Sequence, residues 1–446
     1  MKQKLIIIGA GESGCGAAVL GRQQGYDVFV TEAGEIKPQY LIELNGLGIP
    51  FEQGGHNMEK ILAANLVVKS PGIPEKAPVM KAIRRAGIPV ISELEFAYRH
   101  IGEGKIVAIT GSNGKTTTTA LLHFMCEVEG LNTALVGNIG HSIARQVALN
   151  PVDWYITEVS SFQLDDIVEF RPHIAILTNI TEDHLDRYDY KMTNYIASKF
   201  KVIQNQTSND YFIYCADDPE TIANLNTYHK QSTLLPFTMK HELRQGAYIK
   251  DEEMLIRVKE QEVRMNIHEF KQAGKHNQYN TMAAGISARV MGIRDENIRE
   301  AVQHFEGLPH RNEFVATIRG VDYVNDSKST NINSTWYALG TATKPVVLIL
   351  GGVDKGNDYS IIEELVEEKV KGIICMGLDN QKIHDAFKGK VGFLIDVHSA
   401  REAVETAYRH STTGDMVLLS PACASFDLFK NYEDRGDQFK TAVNEL

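Results

Sequence analysis

Short apolar runs alternate with stretches of helical spacing from one end of the chain to the other. Leu5–Gly11 (LIIIGAG), a helix through Val19–Gly25 and Asp27–Glu32 (DVFVTE) together predict a βαβ opening. Leu66–Val68 reads as a strand that ends in the loop Lys69-Ser70-Pro71-Gly72. Glu93–His100 reads as a helix running into the linker Gly102-Glu103-Gly104. Lys105–Thr110 is a strand, Gly111–Lys115 a glycine loop, and Thr116–Glu129 a helix with Leu121, Leu122, Met125 and Val128 on one face. Buried strands are predicted at Trp154–Thr157, Ile174–Leu177 and Tyr211–Tyr214. Gln231–Ile267 alternates polar and apolar residues, with turns near Gln245-Gly246 and Asp251-Glu252, and predicts antiparallel β-structure appended to the sheet. Thr281–Met291 is an apolar helix, and the chain restarts near Gly307-Leu308-Pro309. Val346–Gly352 repeats the strand-into-glycine signal, followed by strands at Gly372–Met376 and Met416–Ser420. This alternation predicts an α/β fold in three domains, 1–100, 101–306 and 307–446.

Composition narrows the class. The chain has 446 residues, 43% hydrophobic and 23% charged, which excludes a disordered, collagen-like or disulfide-stapled protein. A net charge of −11 argues against general nucleic-acid binding, yet leaves room for phosphorylated small ligands held by local donors. Cys15, Cys126, Cys215, Cys375 and Cys423 have no zinc-like or CxxC spacing, so reduced thiols in the cytoplasm are expected. The apolar run at the N-terminus is too short for a signal peptide, and no run has the length of a membrane helix.

The chemistry concentrates in loops after strands. Gly9-Ala10-Gly11-Glu12-Ser13-Gly14 follows a strand and opens a helix, the setting of a Rossmann-like phosphate turn. Glu32 closes the next strand, where an acidic residue often meets a ribose. A nucleotide-diphosphate site, an NAD site and a ligand-free turn all fit. Gly111-Ser112-Asn113-Gly114-Lys115-Thr116-Thr117 is a shortened phosphate loop. Its backbone N–H groups would face phosphates, Lys115 would reach the β/γ-phosphates and Thr116 would ligate Mg²⁺. Glu158, at a strand end, suits a second Mg²⁺ ligand, while Ser160 or Ser161 suits a helix N-cap. His184, in Asn179–Arg187, reads equally as a metal ligand or a satisfied loop histidine, and Lys199 by composition alone is one surface lysine among many. Four further loops hold Arg311, Asp326 with Lys328, Lys355, and Ser420–Asp427. Each fits an ordinary turn, but together they argue for an anion-rich ligand surface.

Taken in order, GSNGKTT, EVSSFQL, NITEDHLDRY, the helix with Lys199, GKHNQYN, LPHRNE, NDSKSTN and GGVDKG resemble the Mur ligase family along the full chain. The GAGESG start, Lys69–Pro74 and the ending SPACASFDLFKNYEDRGDQF resemble the branch that adds D-glutamate. The resemblance implies a Rossmann-like N-terminal domain, a central P-loop ATPase-type domain and a C-terminal Rossmann-like domain. It implies a monomeric cytoplasmic enzyme of peptidoglycan precursor synthesis that uses ATP, Mg²⁺ at two sites and an acyl phosphate to join D-glutamate to UDP-N-acetylmuramoyl-L-alanine. Gly111, Asn113, Gly114, Lys115, Thr116 and Thr117 then hold ATP phosphates, Asn277 and Asn280 the adenine side, and Arg311 and Asp326 phosphate and ribose. Glu158 and His184 match Mg²⁺ ligands, and Lys199 matches a lysine whose CO₂-derived carbamate helps to hold metal. Ser13, Glu32, Ser70 and Gly72 fall on the uridine-diphosphate side, Asn138 on the muramoyl side, and Lys328, Thr330, Lys355, Ser425 and Phe426 around D-glutamate. Thr31-Glu32-Ala33-Gly34 lacks the Asp-Thr-Arg run of some members, and Glu12-Ser13 replaces the commoner Leu-Thr. Sister ligases, a folylpolyglutamate synthase and a non-catalytic nucleotide sensor are the rivals. The first ~100 residues weigh against the second, and the joint presence of Glu158, His184 and Lys199 against the third. Closure about Phe305–Arg311 is expected during the reaction.

Overall fold

The computed structural model describes residues 2–183, 185–272 and 274–446, so His184 lies outside the described residues. The chain forms two compact units, Met1–Phe305 and Glu306–Leu446. The break expected near residue 306 lies at their junction; that expected near residue 100 lies inside the first unit, between two sheets.

The first sheet is all parallel and contains β1 (Lys4–Ile8), β2 (Asp27–Thr31), β3 (Phe51–Glu52), β4 (Leu66–Lys69) and β5 (Val90–Ser92), in the order β3-β2-β1-β4-β5. This doubly wound order reverses between β1 and β4, where such sheets open a crevice at their carboxyl ends. Leu5–Ile8 of β1 is an unbroken apolar run because both faces are covered there. The first helix spans Glu12–Gln23, starting well before the expected Val19. Gly14 and Gly16 hide it in the sequence, because glycine weakens a helix. Both are needed: a Cβ would lie 1.9 Å from the Gly9 carbonyl oxygen at Gly14 and 1.8 Å from Ser142 Oγ at Gly16.

The second sheet holds β6 (Lys105–Thr110), β7 (Thr133–Gly137), β8 (Trp154–Glu158), β9 (Ile174–Leu177), β10 (Tyr211–Cys215), β11 (Thr233–Thr238), β12 (Gly246–Lys250), β13 (Glu253–Val258) and β14 (Gln261–Asn266). Their order is β14-β13-β12-β11-β10-β9-β6-β8-β7. The stretch 231–267 is antiparallel only in part. β11 pairs parallel with β10, and β12 parallel with β11; only β12–β13 and β13–β14 are antiparallel. Alternation reports one covered face and is silent on strand direction. The turn at Asp251 and Glu252, both at positive φ, is the kind that matches hairpin twist. The helix expected from Thr281 begins at Lys275, since its first turns are polar and carry the buried Asn277 and Asn280.

One apolar core joins these two sheets. Leu5, Ala17 and Leu20 share it with Ile143, Ala144, Tyr155 and Phe170. The helix Ile143–Leu149 lies against Glu12–Gln23, with Arg145 bonded to Glu12 and Glu43. The wholly buried carboxylate of Glu95 accepts the N–H groups of Val168, Glu169 and Phe170 at 2.8–3.1 Å.

The second unit has β15 (Glu313–Ile318), β16 (Val321–Asn325), β17 (Val346–Leu350), β18 (Val370–Met376), β19 (Leu394–Val397) and β20 (Met416–Leu419), ordered β15-β16-β20-β17-β18-β19. Only β15 is antiparallel to its neighbour. Along β17, Val346, Leu348 and Leu350 enter one core and Val347 and Ile349 the other, the period of two of a strand covered on both faces. All five cysteines are buried and none forms a disulfide. Among the described residues, no helix is long and apolar enough to cross a membrane.

Candidate active site

The glycine loop Gly111–Gly114 links β6 to the helix Lys115–Glu129. Its shape depends on two glycines. Gly111 has φ of 144°, and a Cβ there would lie 1.9 Å from Thr178 Oγ1. Gly114 has φ of 81°, and a Cβ there would meet Asn280 Oδ1 at 2.3 Å. The N-cap is Gly114, which has no side chain to cap the helix, and the helix directs its positive end into the loop, as an anion site requires. The loop is braced from β9 onward. Asn179 Oδ1 accepts the Asn113 N–H at 2.9 Å, Thr178 Oγ1 donates to the Asn113 carbonyl at 2.6 Å, and Ser112 Oγ accepts the Thr181 N–H at 2.9 Å. Thr116 is buried and Thr117 half-buried on the first helical turn. From the helix Lys275–Met291, Asn280 reaches the loop beside Gly114; its Oδ1 accepts from Thr118 Oγ1 at 3.3 Å and its Nδ2 donates to Asn277 Oδ1 at 3.4 Å.

Two lysines meet on one carbonyl. Lys115 Nζ donates to Gly111 O and Ser112 O, each at 2.8 Å, and Lys199 Nζ donates to Gly111 O at 2.7 Å. Lys199 is 1% exposed, on the helix Met192–Phe200, with Nζ 4.5 Å from the Tyr195 ring centre. Burial, then repulsion from Lys115, holds its amine well below the usual lysine range, against the pull of Asp183.

Glu158 closes β8 and is buried. Its Oε1 accepts from Asn138 Nδ2 at 2.9 Å, while the buried Oε2 has no hydrogen-bond partner among the described residues. A buried carboxylate oxygen without a donor is costly and fits a cation. Of the two serines suited to the helix cap, Ser160 takes the role, capping Ser161–Asp165 in a capping box with Gln163.

A second cluster lies at the switch point of the first sheet. Gly9, at φ of 98°, packs under Ser70, whose Oγ would lie 2.7 Å from a Cβ there. Ser13 is in the first turn of the helix from Glu12. Glu32 accepts the N–H groups of Ala10 at 2.9 Å and Gly34 at 3.1 Å, so its carboxylate shapes the turn itself. Gly72 is exposed, and its carbonyl, with those of Pro71 and Ile73, accepts from the Arg187 guanidinium.

In the second unit, three loops gather at the carboxyl ends of the neighbouring strands β16, β20 and β17. Val353 and Ala424 bond each other's backbone, which joins the loop of Lys355 to that of Ser425 and Phe426. Lys355 is exposed, Ser425 buried and Phe426 70% exposed, a large apolar ring in water. Asp326 is buried, accepting from Ser329 and Ser420 hydroxyls and the Asn312 N–H; burial pushes its carboxyl up to about 6, against the Ser329 and Ser420 hydroxyls and Arg311. Arg311 is half-buried, as are Lys328 and Thr330, and Lys328 Nζ lies 5.4 Å from the Tyr432 ring centre.

Sequence reasoning missed Arg435. It is 1% exposed and donates to Ser327 Oγ, Ser327 O and Cys423 O, tying two of these loops together. Burial draws its guanidinium down to about 10. The signal was present: Arg435, Phe439 and Val443 follow an i, i+4, i+8 spacing, which sets the arginine on the buried stripe.

Three family descriptions match in order: the Mur ligase MurD-like N-terminal domain over residues 3–92, the Mur ligase middle domain over 109–288 and the Mur ligase glutamate ligase domain over 310–423. Relatives named UDP-N-acetylmuramoylalanine–D-glutamate ligase, from Christiangramia forsetii and Bacteroides fragilis, are each 50% identical over 100% of both chains. Among solved structures, UDP-N-acetylmuramate-alanine ligase from Thermotoga maritima has a TM-score of 0.61 at 18% identity over 99% of both chains. MurF from Acinetobacter baumannii has a TM-score of 0.62 at 15% identity, over 99% of this chain and 93% of its own. The solved structures share the fold, and the relatives share half of all residues from end to end: the chain belongs to the Mur ligase family.

Proposed function

We propose that this chain is an ATP-dependent ligase that adds D-glutamate to UDP-N-acetylmuramoyl-L-alanine in peptidoglycan precursor synthesis. The observation that carries the reading is the pair Lys115 and Lys199 on the Gly111 carbonyl, beside the helix N-terminus that Gly114 opens. The relatives' names support the choice of substrates. A carboxylate is a poor electrophile, and phosphorylation by ATP gives it a leaving group. Two anions must approach for that step, and Lys115 offsets their repulsion at the β/γ-phosphates. The D-glutamate amine then attacks the acyl phosphate, and phosphate leaves.

Gly111, Asn113, Gly114, Thr116 and Thr117 hold the phosphates in this reading, and Asn277 and Asn280 the adenine side. Arg311 and Asp326 contact phosphate and ribose. Thr116, Glu158 and His184 would hold Mg²⁺, at two sites; Glu158 Oε2, without a hydrogen-bond partner among the described residues, supports a cation there. Bound Mg²⁺ supplies positive charge against the reacting phosphate. Lys199 is the proposed carbamate. Its depressed basicity supports an uncharged amine, which adds to CO₂ and releases one proton, leaving a carboxylate to help to hold metal. Ser13, Glu32, Ser70 and Gly72 face the uridine diphosphate and Asn138 the muramoyl group. Lys328, Thr330, Lys355, Ser425 and Phe426 receive D-glutamate, two lysines suiting two carboxylates. The chain is proposed to act as a monomer in the cytoplasm, where nucleotide precursors are made.

Phosphate release from ATP and Mg²⁺ with UDP-N-acetylmuramoyl-L-alanine, offering D-Glu, L-Glu, L-Ala, L-Lys and meso-diaminopimelate in turn, tests the reading. Release with D-Glu alone is expected. Release only with another amino acid would keep the ATP chemistry and overturn the assignment of substrate.

A further inference from the structure

Beyond the loops at β16, β17 and β20, the second unit carries another cluster on its far strands. Cys375 and Asp396 are direct register partners on the parallel strands β18 and β19, so their side chains leave the same face of the sheet. The crossover between these strands contains the helix Gln381–Phe387. Ile383 and Phe387 bury that helix against the core, and His384 reaches over the strand pair. One ligand atom from each of Cys375, His384 and Asp396 lies within 4.8 Å of the others. We propose that Cys375, His384 and Asp396 form a binding site for a thiophilic divalent metal ion such as Zn²⁺, separate from the phosphate-loop chemistry.

Four features support this. First, the donor set is one thiolate, one imidazole and one carboxylate, whose two negative charges offset those of a divalent ion. Second, the donors come from two strands and a helix and already converge. His384 Nε2 lies 3.0 and 3.1 Å from the two Asp396 oxygens, so one ion can replace the proton they share. Third, the carboxylate is oriented from behind. Asn380 Nδ2 donates to Asp396 Oδ1 at 2.9 Å and to the Cys375 and Gly377 carbonyls at 3.2 Å, the kind of outer support that metal sites use. Fourth, access is graded: Cys375 is wholly buried, His384 half-buried and Asp396 exposed on the outermost strand, which leaves an entry path from solvent.

The rival reading is a surface His–Asp ion pair beside an ordinary core thiol. The two differ in what the sulfur does. Metal binding forms a metal–sulfur bond, and the thiol proton passes to solvent. A thiolate is a soft ligand that prefers Zn²⁺ or Co²⁺, while a hard ion such as Mg²⁺ prefers oxygen donors. The site is therefore selective against the ion of the ligase reaction.

Cobalt is the probe, added to the reduced full-length chain with excess Mg²⁺ to occupy oxygen-donor sites. Thiolate-to-cobalt charge-transfer absorption, with the intense visible bands of tetrahedral cobalt, is expected to saturate at one equivalent, and Zn²⁺ should abolish both. Cys375→Ser should remove the charge-transfer band. His384→Ala, at a half-buried position outside the apolar core, removes a direct ligand and should weaken cobalt binding by about 100-fold or more, beyond the range for loss of an outer partner. Weak octahedral bands alone would overturn the proposal. So would a charge-transfer band that survives Cys375→Ser, or an affinity unchanged in His384→Ala.

Discussion

At the scale of single residues, the informative atoms are those whose surroundings contradict their usual chemistry. Lys199 is a lysine from which burial and Lys115 remove the incentive to hold a proton. Nothing in its local sequence marks it, because the contradiction arises from Gly111 and Lys115, which lie far away in the chain. Only the resemblance singled it out. The strand-end position of Glu158 was legible, although its oxygen without a partner among the described residues was not. Arg435 was legible by helical spacing and overlooked, because a charged residue is normally read as facing solvent. The proposed carbamate makes a specific prediction. Lys199→Ala should lose nearly all ligase activity, and millimolar formate or acetate should restore part of it by replacing the lost oxygens. No recovery in protein with an unchanged circular dichroism spectrum would remove the carbamate from the mechanism.

At the scale of elements, the strands were the most readable part. Buried parallel strands are continuous apolar runs, and Lys105–Thr110 and Ile174–Leu177 occur with the bounds their sequence implies. Helix starts were least readable where packing overrides propensity. The helix Glu12–Gln23 carries glycines where its neighbour passes closest. Gly16→Ala should therefore destabilise the first unit by about 1–3 kcal/mol, since its Cβ must displace Ser142. A denaturant midpoint unchanged in this variant would show that the two helices part easily.

A buried acid on a third helix, Glu93–Tyr98, packs against the same neighbour. Glu93 accepts the Ala144 N–H at 2.7 Å, and burial pushes its carboxyl up to about 7. The folded chain thus holds a proton that the unfolded chain has released. Stability is lost from this residue as pH rises from about 4.5 to 7, and the loss is complete above that window. Glu93→Gln keeps the acceptor and removes the charge. It should raise stability by about 3 kcal/mol near pH 8 and leave it unchanged near pH 4. Equal gains at both pH values would show that charge is not the cause.

At the scale of the whole molecule, the three-part rhythm of the sequence is present as three sheets, while compactness divides the chain into two units. The difference lies in side chains that pattern reading cannot pair. Glu95 with residues 168–170, and Arg145 with Glu12 and Glu43, join segments far apart in sequence. The second unit has a complete sheet and its own two cores. Residues 306–446 should therefore fold alone, with a cooperative melt and a dispersed amide spectrum. The full chain should then unfold in two transitions. A fragment that stays unfolded would make the second unit dependent on the first.

The shared core of the first two sheets has a consequence for molecular length. The turn at Gly9–Gly14 and the loop holding Asn138 lie at the starts of two helices that pack on each other, pinned by Gly16, Ser142 and Arg145. They form a rule of fixed span. With a nucleotide-sugar held as proposed, only an acceptor whose carboxylate stands at the matching distance from its uridine can reach the phosphate loop. Acceptors shortened by one phosphate, or lengthened by one residue, would be rejected by length before any functional group is compared.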